Sequence, residues 1–247
     1  MAFPNMPVAS EPLNMIPSLS HSWTVHSRAT LNRHKPFRCY HNEVADSANR
    51  SLPRVLQTVF IDRDGVLNEK MPEGHYVARW SEFQVRPGVV EAIAHLNRAG
   101  VRVAVVSNQR GVALGLYTAE DVKAIQAEFQ KMLGAFGAHV DGFYFCPHDK
   151  GHCNCRKPLP GLFEQALADF PGIAAATSVM IGDSLTDIEF GRRLKMTTAF
   201  IDGAADRQKQ GAEDAREMAD LTFSSLHDAV NYLLANRPAV GAPGGSI

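Results

Sequence analysis

The sequence predicts an α/β fold, a parallel sheet with helices on both faces. Two observations predict it. Short β-rich apolar runs alternate along the chain with segments whose apolar residues recur at helical spacing. A distinctive polar cluster then follows each of the first four apolar runs. Strands of a parallel sheet covered on both faces read as unbroken apolar runs, and ligands bind beyond their carboxyl ends.

The elements come in order. VLQTVFID at 55–62 is a buried strand. PGVVEAIAHLNRAG at 87–100 opens on proline, keeps a helical period and stops at Gly100. VRVAVVSNQ at 101–109 is the second strand. Thr118, with Asp121 three residues on, forms a capping box that opens a helix running to about Gly134. DGFYFC (141–146) is the third strand and PGLFEQALADF (160–170) the third helix. TSVMIGD (177–183), a helix over 185–194, the strand TTAFID (197–202) and the helix HDAVNYLLAN (227–236) complete a domain expected over 54–237. Trp80 and Phe83, in the short insertion after the first strand, are expected to pack.

The flanks differ in texture. Residues 1–53 are rich in Pro, Ser, Asn and His and hold no period. They are expected to be a disordered tail, or translation from too early a start. An organelle transit peptide is the alternative, because Arg28, Arg33, Lys35, Arg38 and Arg50 outnumber the acids there. Residues 238–247 read as a flexible tail. With 45% apolar residues the chain can build a core, and a formal charge of −1 gives no drive towards nucleic acid or membrane. No apolar run reaches the eighteen or so residues of a membrane span.

Four polar clusters carry the chemistry. Asp62 and Asp64 follow the first strand, Ser107 and Asn108 close the second, a Cys/His group and Lys157 follow the third, and Asp183 with Asp187 follow the fourth. Carboxylates gathered at one sheet edge repel one another and resist ionising. A hard cation resolves this, and Mg²⁺ takes one or two carboxylates together with phosphate oxygens and water. An Asp beside it can attack phosphorus, Lys157 can neutralise the phosphoryl oxygens and Ser107 can hold the phosphate. Of the four cysteines, Cys39 stands alone while Cys146, Cys153 and Cys155 lie within ten residues. With His148, or His152 as a competing ligand, they suit a closed structural Zn²⁺ site rather than a disulfide framework. Lys157 lies two residues beyond Cys155, so the zinc would fix the loop that presents it.

Asp62-x-Asp64-Gly65-Val66, Ser107-Asn108, Lys157 and Gly182-Asp183-x-x-x-Asp187 resemble, in order over 58–187, the four motifs of the haloacid dehalogenase superfamily of phosphotransferases. The resemblance implies a Rossmann-like fold, a Mg²⁺ cofactor and an aspartyl-phosphate intermediate. It makes Asp62 the nucleophile and a metal ligand. Asp64 becomes the general acid/base, its backbone carbonyl touching the metal. Asp183 completes the metal site, and Asp187 supports the metal shell or its waters. DRDGVLN, SNQRG, CPH with CNCRKPLPGL, and GDSLTD further resemble the heptose-bisphosphate and histidinol-phosphate phosphatase families, which lack a large cap domain. That resemblance selects His148 as the fourth zinc ligand. It implies a small sugar phosphate as substrate, D-glycero-D-manno-heptose 1,7-bisphosphate at its 7-position before histidinol phosphate. Asn108, Arg110 and Arg156 are the candidate substrate contacts, with solvent as the alternative for the two arginines. A monomeric cytoplasmic enzyme without nucleic-acid or membrane partners follows.

The pattern also breaks. The heptose enzymes typically read NQSGIARG after the second strand; here Arg110 replaces the Ser and Leu114 the Arg. Either a cation has moved at the substrate mouth or the substrate differs. Action on a nucleic-acid end is opposed by the near-neutral charge. A catalytically silent zinc-stabilised scaffold is opposed by the joint retention of Asp62, Asp64, Ser107, Lys157 and Asp183.

Overall fold

A computed structural model describes residues 52–53, 55–72, 74–203 and 210–237. The expectations for the two tails, and for Cys39, lie outside those residues except at Leu52 and Pro53; Leu52 already packs against the core. The sheet is formed by β1 (Thr58–Ile61), β2 (Arg102–Asn108), β3 (Gly142–Cys146), β4 (Ser178–Gly182), β5 (Thr197–Ile201) and β6 (Leu221–Phe223). Its order is β3-β2-β1-β4-β5-β6 and every pairing is parallel. The helices are α1 (Val89–Arg98), α2 (Arg110–Ala113), α3 (Ala119–Gly134), α4 (Gly161–Asp169), α5 (Leu185–Arg193), α6 (Ala212–Met218) and α7 (Leu226–Ala235).

Strand side chains alternate faces, and the two sets of contacts show what covers each. Val59, Ile61, Val103, Val105, Val179 and Ile181 pack with residues of α1, α3 and α7. Phe60, Ala104, Val106 and Met180 face the other way, onto Leu162 and Ala166 of α4 and Phe190 of α5. Each Val, Ile, Leu, Met or Phe among them, once fully buried, contributes about 1.5–3 kcal/mol to stability. Trp80 and Phe83 stack at 5.3 Å between ring centroids, and Phe83 meets Phe129 of α3 at 5.2 Å, so the insertion after β1 is packed onto the domain.

Local chemistry explains the boundaries. At the start of α3 the Asp121 amide donates to the Thr118 hydroxyl at 3.1 Å, and the Thr118 amide donates to the Asp121 carboxylate at 2.8 Å. The spacing had not revealed α2, α6 or β6. The first is a single turn, and β6 is three residues at the sheet edge. In α6, sequence AEDAREM, the buried side chains are only Ala212 and Ala215, too little apolar surface to mark a period. Among the described residues no connection between strands holds a cap-sized domain, and no helix is long and apolar enough to cross a membrane.

The sheet order places a crevice. The chain runs outward from β1 through β2 to β3, then returns to lay β4 on the other side of β1. The carboxyl ends of β1 and β4 therefore flank the point where the winding reverses, which is where open α/β sheets bind ligands.

Candidate active site

Asp62 is the first residue past β1. Its amide donates to the Ile181 carbonyl at 2.9 Å, which carries the ladder one step further and sets the carboxylate at the crevice. The chain then turns tightly, with the amides of Leu67 and Gly65 donating to the carbonyls of Arg63 and Asn68, each at 2.9 Å. Gly65 sits at φ +102, and a Cβ on it would lie 2.1 Å from Asp183 Oδ2. Only glycine lets the turn close against that carboxylate.

Asp183, directly after β4, and Asp187, in the first turn of α5, complete a carboxylate group with Asp62. One oxygen from each lies within 4.8 Å of the others, and all three residues are buried. Hard oxygen donors at this spacing fit a small divalent cation such as Mg²⁺. Two lysines balance much of the charge. Lys157 Nζ is 2.8 Å from Asp62 Oδ1 and 2.6 Å from Asp187 Oδ1, and it donates to the Val106 carbonyl at 2.7 Å. Lys70 Nζ lies 2.6 Å from Asp183 Oδ2. Burial alone would push the Lys157 ammonium down, but the Asp187 and Asp62 carboxylates outweigh it and hold the group above its usual value. Asp187 Oδ2 also accepts from the Ser184 amide at 3.1 Å and hydroxyl at 2.5 Å, a capping box at the start of α5. The residue thus anchors the helix and the lysine together.

Ser107 and Asn108 end β2 beside this group. The Asn108 amide group does not project freely: its Oδ1 accepts from the Lys157 amide at 2.9 Å, and its Nδ2 donates to the Lys157 carbonyl at 3.1 Å. It clasps the backbone that carries the lysine. Ser107 Oγ is buried and accepts from Gln109 Nε2 at 2.6 Å.

Asp64 stands apart from the carboxylate group and retains about 30% of its side-chain exposure. Burial on its own raises its carboxyl, yet the Arg63 charge and hydrogen bonds from Arg63, Gln109 and Asn68 together hold it below the usual carboxylate range. Asn68 Nδ2 donates to Asp64 Oδ1 and Gln109 Nε2 to Oδ2, each at 3.0 Å. Arg63 is itself buried, with its guanidinium 6.0 Å from the centre of the Phe83 ring.

The soft ligands gather on the loop after β3. Cys146, His148, Cys153 and Cys155 each offer an atom within 4.8 Å of the others. The separations are 3.5 Å for Cys146–Cys153, 3.8 Å for Cys146–His148 and 3.2 Å for His148–Cys155. A tetrahedron with bonds of about 2.3 Å has edges of about 3.8 Å, so the group fits Zn²⁺. Burial pushes the Cys146 and Cys155 thiols up, and a cation would offset that penalty on the thiolates. His152 is not in the group. Arg156, just past it, donates to the His148 carbonyl at 3.5 Å. Arg110 Nε is 2.6 Å from Asp149 Oδ1, tying α2 to the same loop.

Spacing had pointed to none of Lys70, Gln109, Arg63 and Asp149. Lys70 and Asp149 act through partners distant in sequence, and only folding shows the contact. Gln109 and Arg63 stood beside flagged residues, and the signal that could have found them was a polar side chain next to a strand end.

The chain matches the haloacid dehalogenase-like hydrolase family over residues 49–195. It is 37% identical over 169 residues to a D-glycero-alpha-D-manno-heptose-1,7-bisphosphate 7-phosphatase of Mycobacterium tuberculosis, covering 68% of this chain and 86% of that one. This chain belongs to the haloacid dehalogenase-like hydrolases. A D-glycero-beta-D-manno-heptose-1,7-bisphosphate 7-phosphatase of Vibrio cholerae is 34% identical over 184 residues, covering 71% of this chain and 95% of the relative. Among solved structures, a D,D-heptose 1,7-bisphosphate phosphatase from B. bronchiseptica, complexed with magnesium and phosphate, superposes with a TM-score of 0.63 at 26% identity, over 73% of this chain and 99% of that one. The chain is an enzyme, a phosphoric monoester hydrolase of that family with its Rossmann-like sheet.

Proposed function

We propose that the chain releases phosphate from a small sugar phosphate, D-glycero-D-manno-heptose 1,7-bisphosphate at its 7-position, through an aspartyl-phosphate on Asp62. The observation that carries the reading is Lys157, buried between Asp62 and Asp187 where β1 and β4 flank the crevice, with Asp183 beside them. The relatives named for this substrate support the choice of sugar.

An Asp62 oxygen attacks phosphorus as the bond to the sugar oxygen breaks, and Asp64 gives that oxygen its proton. Water then attacks the acyl phosphate while the Asp64 carboxylate takes the proton, which returns Asp62 and frees phosphate. Lys157 sets an ammonium beside the nucleophile for the phosphoryl oxygens, and the Ser107 hydroxyl holds the phosphate. Asp62, Asp183 and the Asp64 carbonyl would hold Mg²⁺, which when bound neutralises carboxylate and phosphoryl charge together. Cys146, His148, Cys153 and Cys155 would hold a structural Zn²⁺. Arg156 would meet the substrate at the mouth. Thiols held free for a metal suit a reducing, cytoplasmic setting.

The test is phosphate release with Mg²⁺ from both anomers of the heptose bisphosphate, from histidinol phosphate and from other sugar phosphates. Selective turnover of the heptose, reduced about 10⁴-fold or more by Asp62→Asn, is expected. Preference for histidinol phosphate would move the substrate and leave the chemistry. Turnover unaffected by Asp62→Asn would overturn the mechanism.

A further inference from the structure

Gln109 is 1% exposed and Tyr117 7% exposed, and neither has a part in the chemistry described above. Their hydrogen bonds nevertheless lead straight into it. Both protons of the Gln109 amide are engaged, one on Asp64 Oδ2 at 3.0 Å and one on Ser107 Oγ at 2.6 Å. The amide oxygen accepts from the Tyr117 hydroxyl at 2.8 Å. A single planar group therefore ties the proton-transferring carboxylate to the hydroxyl assigned to the phosphate.

An amide can be turned over, and this one is fixed from both ends, by the phenol at its oxygen and by the Asp64 carboxylate at its nitrogen. Burial pushes the Tyr117 hydroxyl up to about 12, so it stays a donor at physiological pH and needs an acceptor. Presenting the amide oxygen to Tyr117 forces the NH₂ towards Asp64 and Ser107. The reversed amide would set its oxygen against the Asp64 carboxylate, two acceptors facing each other. Gly111 lets the ring reach this place, since a Cβ there would lie 2.1 Å from Tyr117 Cε1.

We infer that Tyr117 and Gln109 are positioning residues, a relay that sets the Asp64 carboxyl in register with the phosphate held at Ser107. The inference rests on the assignment of Asp64 as the proton donor to the leaving oxygen. When the P–O bond breaks, the electron pair goes to that oxygen and the Asp64 proton follows it. A sugar alkoxide is a poor leaving group and needs the proton in flight; p-nitrophenolate leaves as a stable anion without it.

The experiment measures kcat/KM for the sugar phosphate and for p-nitrophenyl phosphate in Tyr117→Phe, with Asp64→Asn as reference. Tyr117→Phe removes one oxygen atom and keeps the ring. The expected loss is about 10-fold or more on the sugar phosphate and under about 3-fold on the aryl ester, with KM steady within about 2-fold. Gly111→Ala, whose methyl would displace the ring and its hydroxyl while leaving the phenol chemically intact, should give the same split by a second route. Equal losses on both substrates, or no loss on either, would overturn the relay. Asp64→Asn separates the two levels of the argument. If it shows a large split and Tyr117→Phe shows none, the relay alone fails. If it shows no split, the proton-donor assignment fails and takes the relay with it.

Discussion

The carboxylate group and the Cys/His group are both able to hold a metal, and Lys157, paired with the first, follows the second by two residues in the chain, but the two groups are supported differently. Asp62 and Asp183 each follow a buried strand, and Asp187 is anchored by its own capping box. Their charge meets Lys157 and Lys70 at 2.6–2.8 Å. The Cys/His loop spans the stretch from β3 to α4, with His148 exposed and Cys153 half-buried. The cations beside it meet other atoms, Arg110 the Asp149 carboxylate and Arg156 the His148 carbonyl. One site is held in shape by strand ends, a capping box and protein cations; the other is expected to draw part of its shape from a bound cation.

The largest effect should come from that difference. Removing zinc, by a strong chelator or by Cys155→Ser, should lower Tm by about 10 °C, as a loss of about 3 kcal/mol does in a domain of this size. It should also cut kcat more than about 10-fold, because Lys157 rides on the loop. Removing Mg²⁺ should abolish turnover reversibly and shift Tm by under about 2 °C. Scanning calorimetry with metal analysis checks both. Equal Tm losses in the two treatments would erase the distinction, and full activity in zinc-free enzyme would detach the loop from the chemistry.

The link between the two regions is Asn108, whose amide bonds both ways to the Lys157 backbone. Asn108→Ala should lower kcat about 10- to 100-fold while KM changes by under about 3-fold, since the lysine loses its placement and the mouth keeps its shape. Two hydrogen bonds of about 1 kcal/mol each predict a Tm lower by about 4–8 °C. A rise in KM with kcat unchanged would instead make Asn108 a direct substrate contact, as its position in the sequence suggested.

These contrasts also mark what the sequence could tell. Strands with both faces buried, such as VFI and VAVV, announce themselves as apolar runs, and the residues just past their ends fall at the crevice by topology. That is why Asp62, Ser107, Asp183 and the thiol cluster were all legible. Side-chain partnership was not. Nothing in the spacing of Gln109, Lys70 or Asp149 records that they meet Asp64, Asp183 and Arg110, because those contacts depend on how loops from separate strands close over one edge. The short α6 and β6 were missed for a related reason: they bury so little that no period shows.

The smallest effect belongs to the exchange that departs from the relatives' pattern. Arg110 and Asp149 are each more than a third exposed, and pairs of that kind add little to stability. Tm should therefore hold within about 1 °C in Arg110→Ala, in Asp149→Ala and in the double variant. The bond from Arg110 holds the Asp149 carboxyl below its usual range. A depressed carboxyl keeps its partner above the unfolded value of about 3.9 and loses it only as pH falls through the lower folded value. Any effect of the pair should thus be flat between pH 5 and 8. If the pair works as a strap between α2 and the metal loop, both single variants should raise KM by the same small factor, about 2- to 3-fold, and the double variant should add nothing. If Arg110 instead meets the substrate's second phosphate, Arg110→Ala should raise KM about 10-fold while Asp149→Ala lowers it by freeing the guanidinium. The sign of the Asp149→Ala effect alone decides between a cation relocated to serve the substrate and one committed to the loop.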